Sequence, residues 1–274
     1  MSSNYTSNYS TNATNINSTA PSPFRGPFSR EDIKLITTVF FSIIGSLGTV
    51  GNSLVILTVV RWLDMRTPCN LFIANISFAD LIVSLVMSPL RIIEQHTGGW
   101  IFGKVLCYVL APFQDTLGSA SVLSHTAIAL ERYRAIVAPF KPRLNKRQVK
   151  ITILFIWVFC YLCTSFPLLF FINFELRNGV QICRVSFPKE DRYIFPLYLA
   201  VVFILSPLIC QVCCYIMIIR VLRKKDAIQD HQESTVTSAQ IQIQTSRQRA
   251  RAKKRLIRRL IVLRLIFQFC SLPR

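Results

Sequence analysis

The sequence has few charged side chains for its length and very few histidines, and both shortages exclude classes of protein. Charged residues make up 16% of the 274 residues, far less than a soluble domain of this length carries. His96, His125 and His231 do not have the spacing of metal ligands. Asp80 and Asp115 do not form a pair of acids at one membrane depth. The sequence therefore gives no support for an enzyme, and we expect no cofactor.

The N-terminal segment lacks an apolar core. Residues 1–22 are rich in Asn, Ser and Thr, so they do not form a cleavable signal peptide, and the first apolar segment would direct insertion. Four Asn-x-Ser/Thr sequons start at Asn4, Asn8, Asn12 and Asn17. The sequence therefore predicts a disordered, glycosylated extracellular tail over residues 1–32.

Long apolar segments are what the chain has in abundance. Hydrophobic residues make up 51% of the sequence, and its mean hydropathy is +0.41. Five segments exceed the roughly 20 residues that a helix needs to cross about 30 Å of hydrocarbon; they are residues 35–60, 70–90, 105–130, 151–174 and 193–219. A sixth begins near residue 256. The sequence predicts an all-α, multi-pass membrane protein.

The net charge of +19 lies between the apolar segments, which argues against nucleic acid as a partner. Alternate loops are basic: residues 61–66, then 132–150, then 220–259. The loops between them, with Arg91 and Lys104 in one of them, are poorer in cations. Because short basic loops stay in the cytoplasm, the N-terminus is expected outside the plasma membrane, and the basic loops are expected to meet anionic lipid.

Two of the nine cysteines differ from the others in position. Cys107 and Cys183 are the only ones at the expected outer ends of helices, which is an oxidising place, so we expect a disulfide between them. Asn178 and Gly179 stand between alternating apolar residues, a strong signal for a β-hairpin. Cys183 falls on the return strand, so the hairpin would stand at the rim of an outward-facing cavity.

Short motifs occur one per helix and in order. They are Gly51-Asn52-Ser53, Ala79-Asp80, Cys107 with Glu131-Arg132-Tyr133, Trp157, Pro207 with Tyr215, and Phe267 with Pro273. With these motifs the chain resembles the rhodopsin-like (class A) G-protein-coupled receptors over residues 33–273. The resemblance implies a seven-transmembrane-helix receptor bundle with a β-hairpin in the second outer loop. Residues 33–223 would form helices one to five, 224–251 a disordered basic third inner loop, and 252–274 part of the sixth helix.

The resemblance also implies roles for individual residues. At the cytoplasmic side, those that would couple to a heterotrimeric G protein are Glu131, Arg132, Tyr133 and Tyr215. Those that resemble the family's sodium pocket are Asn52, Asp80 and Ser121, with no other metal expected. The residues that would face the ligand are Gln114, Asp115 and Gly118, and the activation elements are Pro207, Phe267 and Pro273.

The same resemblance favours a peptide as the extracellular ligand. Amine receptors of the family place an acid at the position of Gln114, to pair with the ligand ammonium. Together with the hairpin and the outer loop that begins at Trp100, Gln114 looks like the neuropeptide-receptor branch, near the receptors for neuropeptide Y, neuropeptide FF, orexin and galanin. A small amine or a lipid remains the alternative ligand.

Three features depart from the family pattern. Ser271 stands where the family has a tryptophan, Arg264 lies inside the sixth apolar segment, and the chain ends at Arg274, before a seventh helix. We expect a fragment, a mispredicted gene model or a truncated product. The leading interpretation is a receptor whose complete chain signals. Its runner-up is a truncated, non-signalling product that pairs with full-length relatives. The chain as given is expected to be retained in the endoplasmic reticulum without signalling.

Overall fold

Five long helices and one β-hairpin make up the part of the chain that the computed structural model describes, residues 29–140, 142–177, 179–188 and 193–233. The helices are α1 (Arg30–Arg61), α2 (Pro68–Thr97), α3 (Gly103–Val137), α4 (Lys146–Phe171) and α5 (194–233). The hairpin, β1 (Ile172–Arg177) and β2 (Val180–Val185), joins α4 to α5. The helical bundle and the predicted hairpin are thus confirmed.

The helix starts follow local capping signals. The side chains of Ser29 and Asn145 each accept a hydrogen bond from the backbone N–H three residues on, and their own backbone N–H groups donate to the side chains of Asp32 and Gln148, so α1 and α4 begin with capping boxes. Thr67 caps α2 in front of Pro68, where the missing N–H costs nothing. Gly98, with φ of 73°, ends α2 in the left-handed conformation that glycine tolerates best.

α3 is the central helix of the described bundle. It packs against α2, α4, α5 and both strands of the hairpin. The other four helices are long and apolar enough to cross a membrane by themselves. α3 has 35 residues but is more polar, and its buried side chains include Thr116, Ser119, Ser121 and Ser124. Inside the bundle the hydroxyls of Thr116, Ser121 and Ser124 find protein partners that a lipid-facing helix could not offer.

A chain of hydrogen bonds ties α2, α3 and α4 together. The Trp157 indole Nε1 donates to Asn75 Oδ1 at 2.8 Å, and Asn75 Nδ2 donates to Ser124 Oγ at 2.9 Å. Ser124 Oγ in turn donates to the Ala120 carbonyl at 2.7 Å. Two of these three bonds cross between helices, from α4 to α2 and from α2 to α3, so they fix how the three helices meet.

We expect Trp157→Phe to weaken the bundle, because it leaves Asn75 Oδ1 without its donor in a half-buried position. The expected loss is about 1–2 kcal/mol, since an unsatisfied buried acceptor costs more than the modest net value of one bond in a membrane helix. Loss of peptide binding on heating of the detergent-solubilised protein measures this loss of stability. Trp62→Phe, at an exposed indole just after α1, is the matched control. Equal losses in both variants would contradict the assignment.

Three helices contain one wide, π-type turn each, and a proline follows every one of them. The turns are Val83–Met87 in α2, Tyr161–Ser165 in α4 and Ala200–Leu205 in α5. Pro89, Pro167 and Pro207 stand two residues after them. A proline has no N–H to donate and its ring clashes with the carbonyl four residues earlier, so the preceding turn widens. In α2 and α5, Ser88 and Ser206 donate to the carbonyls of Val83 and Val202.

Two helix ends differ from the expected ones. α2 continues past residue 90 to Thr97, so Arg91 is a helical residue and the prediction that it lies in a loop is wrong. After the wide turn, regular α-helix begins again at Ser88, and Pro89 is its second residue, where proline is tolerated. No other helix-breaking residue occurs before Gly98, so the helix continues to Thr97. α5 extends to Glu233, so residues 224–233 of the predicted disordered loop are helical; they contain neither glycine nor proline. The predicted loop residues 234–251 and sixth-helix residues 252–274 lie outside the described ranges.

Candidate functional site

The β-hairpin is fastened to the end of the bundle where α2 ends and α3 begins, which we call the hairpin end. A disulfide joins Cys107 near the start of α3 to Cys183 on β2, with 5.7 Å between their Cα atoms, and so confirms the predicted pair. The backbone N–H of Trp100 donates to the Gln181 carbonyl at 2.7 Å. Tyr108 Oη donates to the Ile172 carbonyl at 3.3 Å. The hairpin is therefore held at three points.

Gly99 makes this close approach possible. A Cβ at residue 99 would lie 2.0 Å from Val180 Cγ1 and 2.6 Å from the Gln181 carbonyl oxygen. The contact with the Gln181 carbonyl oxygen cannot be relieved by moving a side chain, because this atom belongs to the β2 backbone. The glycine thus allows the loop between α2 and α3 to lie directly against the hairpin.

A small open cleft lies under the hairpin. Trp100 and Cys183 form its rim, and α2 and α3 form its walls. The wall residues are Met87, Leu90, Arg91, Glu94, Leu110, Ala111 and Gln114. Most of the lining is apolar, while the charged and amide groups come from three residues on facing helices. A concave, mostly apolar site with a few converging polar groups is typical of ligand pockets.

Arg91 is held between two helices within this cleft. Its Nη1 lies 2.9 Å from Glu94 Oε2 on the same helix, and its Nη2 donates to Gln114 Oε1 on α3 at 3.0 Å. The Arg91 side chain is 49% exposed and that of Glu94 is 22% exposed. The guanidinium is thus fixed in orientation and still accessible from the cleft.

Of the three residues predicted to face the ligand, the structure places Gln114 in the cleft. Asp115 and Gly118, also on α3, do not belong to its lining. Sequence reasoning missed Arg91 and Glu94, because the apolar segment of α2 was taken to end at residue 90. The spacing of Arg91 and Glu94, three apart on one helix, was the available signal.

Deeper in the bundle, Asp80 and Ser121 meet as expected. Ser121 Oγ lies 3.5 Å from Asp80 Oδ1. Asn52 is also half-buried, and its amide Nδ2 donates to the Gly48 carbonyl of its own helix at 2.9 Å. The structure therefore brings Asp80 and Ser121 into contact and places Asn52 on the adjoining helix α1.

At the opposite end of the bundle, the foot of α3 carries Glu131, Arg132 and Tyr133. Glu131 is only 4% exposed, whereas Arg132 is exposed. Within the described ranges no ion pair of 4.0 Å or less joins the two, and Glu131 Oε2 has no hydrogen-bond partner. Tyr215 is half-buried on α5, a helix that packs along α3.

The remaining predicted residues are divided between described and undescribed parts of the chain. Pro207 is buried and follows the wide turn of α5. Phe267 and Pro273 lie outside the described residues, as do the four sequon asparagines.

Comparisons with known proteins agree with the geometry. Residues 51–274 match the model of the 7 transmembrane receptor (rhodopsin family). Similar proteins include the substance-P receptor of Aquarana catesbeiana, 30% identical over 86% of this chain and 56% of that receptor. The substance-K receptor of Mus musculus is 31% identical over 83% and 57%, and the neuromedin-K receptor of Cavia porcellus 29% identical over 83% and 50%. The chain thus spans about half the length of these relatives.

Proposed function

Because the chain belongs to the rhodopsin family of seven-transmembrane receptors, we propose that the complete receptor chain binds an extracellular peptide and thereby activates a heterotrimeric G protein. The similarity to receptors named for substance P, substance K and neuromedin K carries this proposal. These names differ from the four peptide receptors that the motifs suggested, but they too indicate a peptide ligand. As members of a receptor family, such proteins are not enzymes.

The proposal places the hairpin end outside the cell. Basic residues between the helices gather at the opposite end, for example at Arg61, Arg66 and Arg147, and short basic loops stay in the cytoplasm. A disulfide at the hairpin end suits the oxidising exterior. A peptide reaching the cleft would contact the hairpin first and then the facing walls of α2 and α3.

The foot of α3 supports G-protein contact in this orientation. Arg132 is exposed there and lies among the cations of the loop between α3 and α4, whereas Glu131 is buried beside it. A ligand that favours one arrangement of α3 and its neighbours would change how Arg132 is presented to the G protein. Such an element with two arrangements is what a switch requires.

A panel assay tests the proposed function. Membranes of cells expressing the complete receptor chain are exposed to synthetic peptides that include substance P, substance K and neuromedin K and, separately, to small amines and lipids, and ligand binding and G-protein nucleotide exchange are measured. We expect saturable binding and exchange with at least one peptide. A response to small amines or lipids alone would favour the other ligand classes, and absence of binding by every peptide would contradict the proposal.

We further propose that Asp80 and Ser121, with Asn52 on the adjoining helix, hold a sodium ion that favours the inactive state. A carboxylate and a hydroxyl are hard oxygen donors of the kind that such cations prefer, and a cation would neutralise a carboxylate at membrane depth. Asp80→Asn is therefore expected to remove the effect of sodium on peptide affinity. Competition binding in sodium chloride and in choline chloride measures it, at equal ionic strength. A sodium effect that survives the substitution would contradict this role.

A further inference from the structure

We infer that Arg91 determines specificity in the cleft by binding a carboxylate of the ligand, an inference that rests on the proposed function. The guanidinium lies in the cleft wall and is held by Glu94 on its own helix and by Gln114 on α3. A planar guanidinium matches a carboxylate through two parallel hydrogen bonds, which a neutral acceptor cannot equal in strength.

The donor inventory supports an added acceptor. A guanidinium has five N–H donors, and in the described part of the chain the contacts with Glu94 and Gln114 engage only its two terminal nitrogens, one donor each. The remaining donors can therefore meet an acceptor that enters the cleft. Gln114 accepts from Arg91 through Oε1, so its amide Nε2 hydrogens are additional donors at the same place.

Preorganisation favours Arg91 over a solvent-exposed arginine. A free arginine side chain loses considerable rotamer freedom when it binds a ligand, whereas Arg91 is already oriented by partners on two helices. Less entropy remains to be lost on binding, so more of the interaction contributes to affinity.

Charge and exposure decide between an anionic and a cationic ligand group. Arg91 is 49% exposed and Glu94 only 22%, so the cation is the more accessible member of the pair. Among the described residues, those with a charge in the cleft wall, at the start of α3 and on the two hairpin strands are Arg91, Lys104, Arg177, Arg184, Glu94 and Glu175. Four of these six are cations, which attracts a carboxylate towards the cleft and repels an ammonium.

The test uses paired synthetic peptides on the receptor in cell membranes. Each sequence from the panel is made with a free C-terminal carboxylate and with a C-terminal carboxamide, and with its acidic side chains intact or replaced by Asn and Gln. The first pairing detects a terminal carboxylate, and the second detects one on a side chain. Competition binding gives the affinity ratio within each pair.

We expect one pairing to show about a 10- to 100-fold preference for the carboxylate form, which is the range for hydrogen bonds to charged groups. Arg91→Gln should reduce this preference to less than about threefold, and surface staining of the variant shows separately that it still folds. Arg91→Lys keeps the charge but not the paired geometry, and should retain an intermediate preference. Arg177→Gln, at an exposed arginine on the hairpin, is the matched control; it removes only a screened, longer-range attraction and should change the preference by less than about twofold.

The outcomes separate this inference from the proposed function. Peptides that bind without a carboxylate preference, or a preference that persists in Arg91→Gln, would overturn the role of Arg91 and leave peptide binding standing. A preference for neutral or amine-bearing members would also overturn it. If no peptide of the panel binds, both the proposed function and this inference fail.

Discussion

Cys107→Ser and Cys183→Ser are each expected to reduce peptide binding at the cell surface at least tenfold. The disulfide closes a loop with a sequence separation of 76 residues and fixes the hairpin above the cleft. By the chain-entropy relation, closing such a loop stabilises the folded state by at most about 4.5 kcal/mol. This value is an upper limit, because most of the loop is helix that a bilayer already confines before the bond forms. Removing a native disulfide usually costs about 2–5 kcal/mol, which is a large part of the stability of a typical domain.

Surface staining and radioligand binding on intact cells measure this effect. The double variant separates the loss of the disulfide bond from the loss of the individual cysteine side chains. If the pair acts only as a bond, the Cys107→Ser, Cys183→Ser double variant should lose no more than either single variant. Cys213→Ser, at an exposed thiol on α5, is the control and should behave as the unmodified protein. Mass spectrometry of unreduced protein that finds both thiols free would contradict the bond directly.

Arg132→Ala is expected to reduce peptide-stimulated nucleotide exchange by more than about tenfold and to change peptide affinity by no more than a few-fold. The exposed guanidinium at the foot of α3 would lose charge-assisted hydrogen bonds to the G protein, each worth about 1.5–3 kcal/mol. The cleft lies at the other end of α3, so its lining is not altered.

Exchange of labelled GTP in membranes measures coupling, and competition binding on the same membranes measures affinity. Arg61→Ala is the matched control, because Arg61 is also exposed at the end of the bundle opposite the hairpin but lies on α1. It should reduce exchange by less than twofold. Full exchange activity in Arg132→Ala would refute the assignment of Arg132 as the coupling residue.

Some features of the fold were predictable because each depends on a short stretch of sequence. The length of the apolar segments predicts the long helices. Crossing the hydrocarbon of a bilayer requires about 20 consecutive apolar residues, and a run of this length rarely occurs by chance. The Asn178-Gly179 pair predicts the hairpin, and Gly179 takes the positive φ of 79° that such a turn requires. The position of Cys107 and Cys183 at expected outer ends was enough to identify their bond.

The cleft itself was only partly predictable. Gln114 was found because its position matches a family motif, but the apolar segment of α2 gave no indication that the helix continues to Thr97. Arg91 and Glu94 therefore looked like loop charges. Their contact with Gln114 depends on how α2 and α3 pack, and such tertiary contacts are not visible in the periodicity of either helix.

The wide turns before Pro89, Pro167 and Pro207 have a consequence for how the family can diversify. A π-type turn contains one residue more than a regular helical turn. This extra residue rotates the side chains of the following part of the helix by about 100° about the helix axis. All three turns lie towards the hairpin end of their helices. A single-residue insertion or deletion in α2, at Val83–Met87, would therefore replace Arg91 in the cleft wall with a neighbour and leave Asp80 and the rest of the inner half in register. The lining of the cleft can thus change through small changes in helix length, independently of the half of the bundle that carries Glu131 and Arg132.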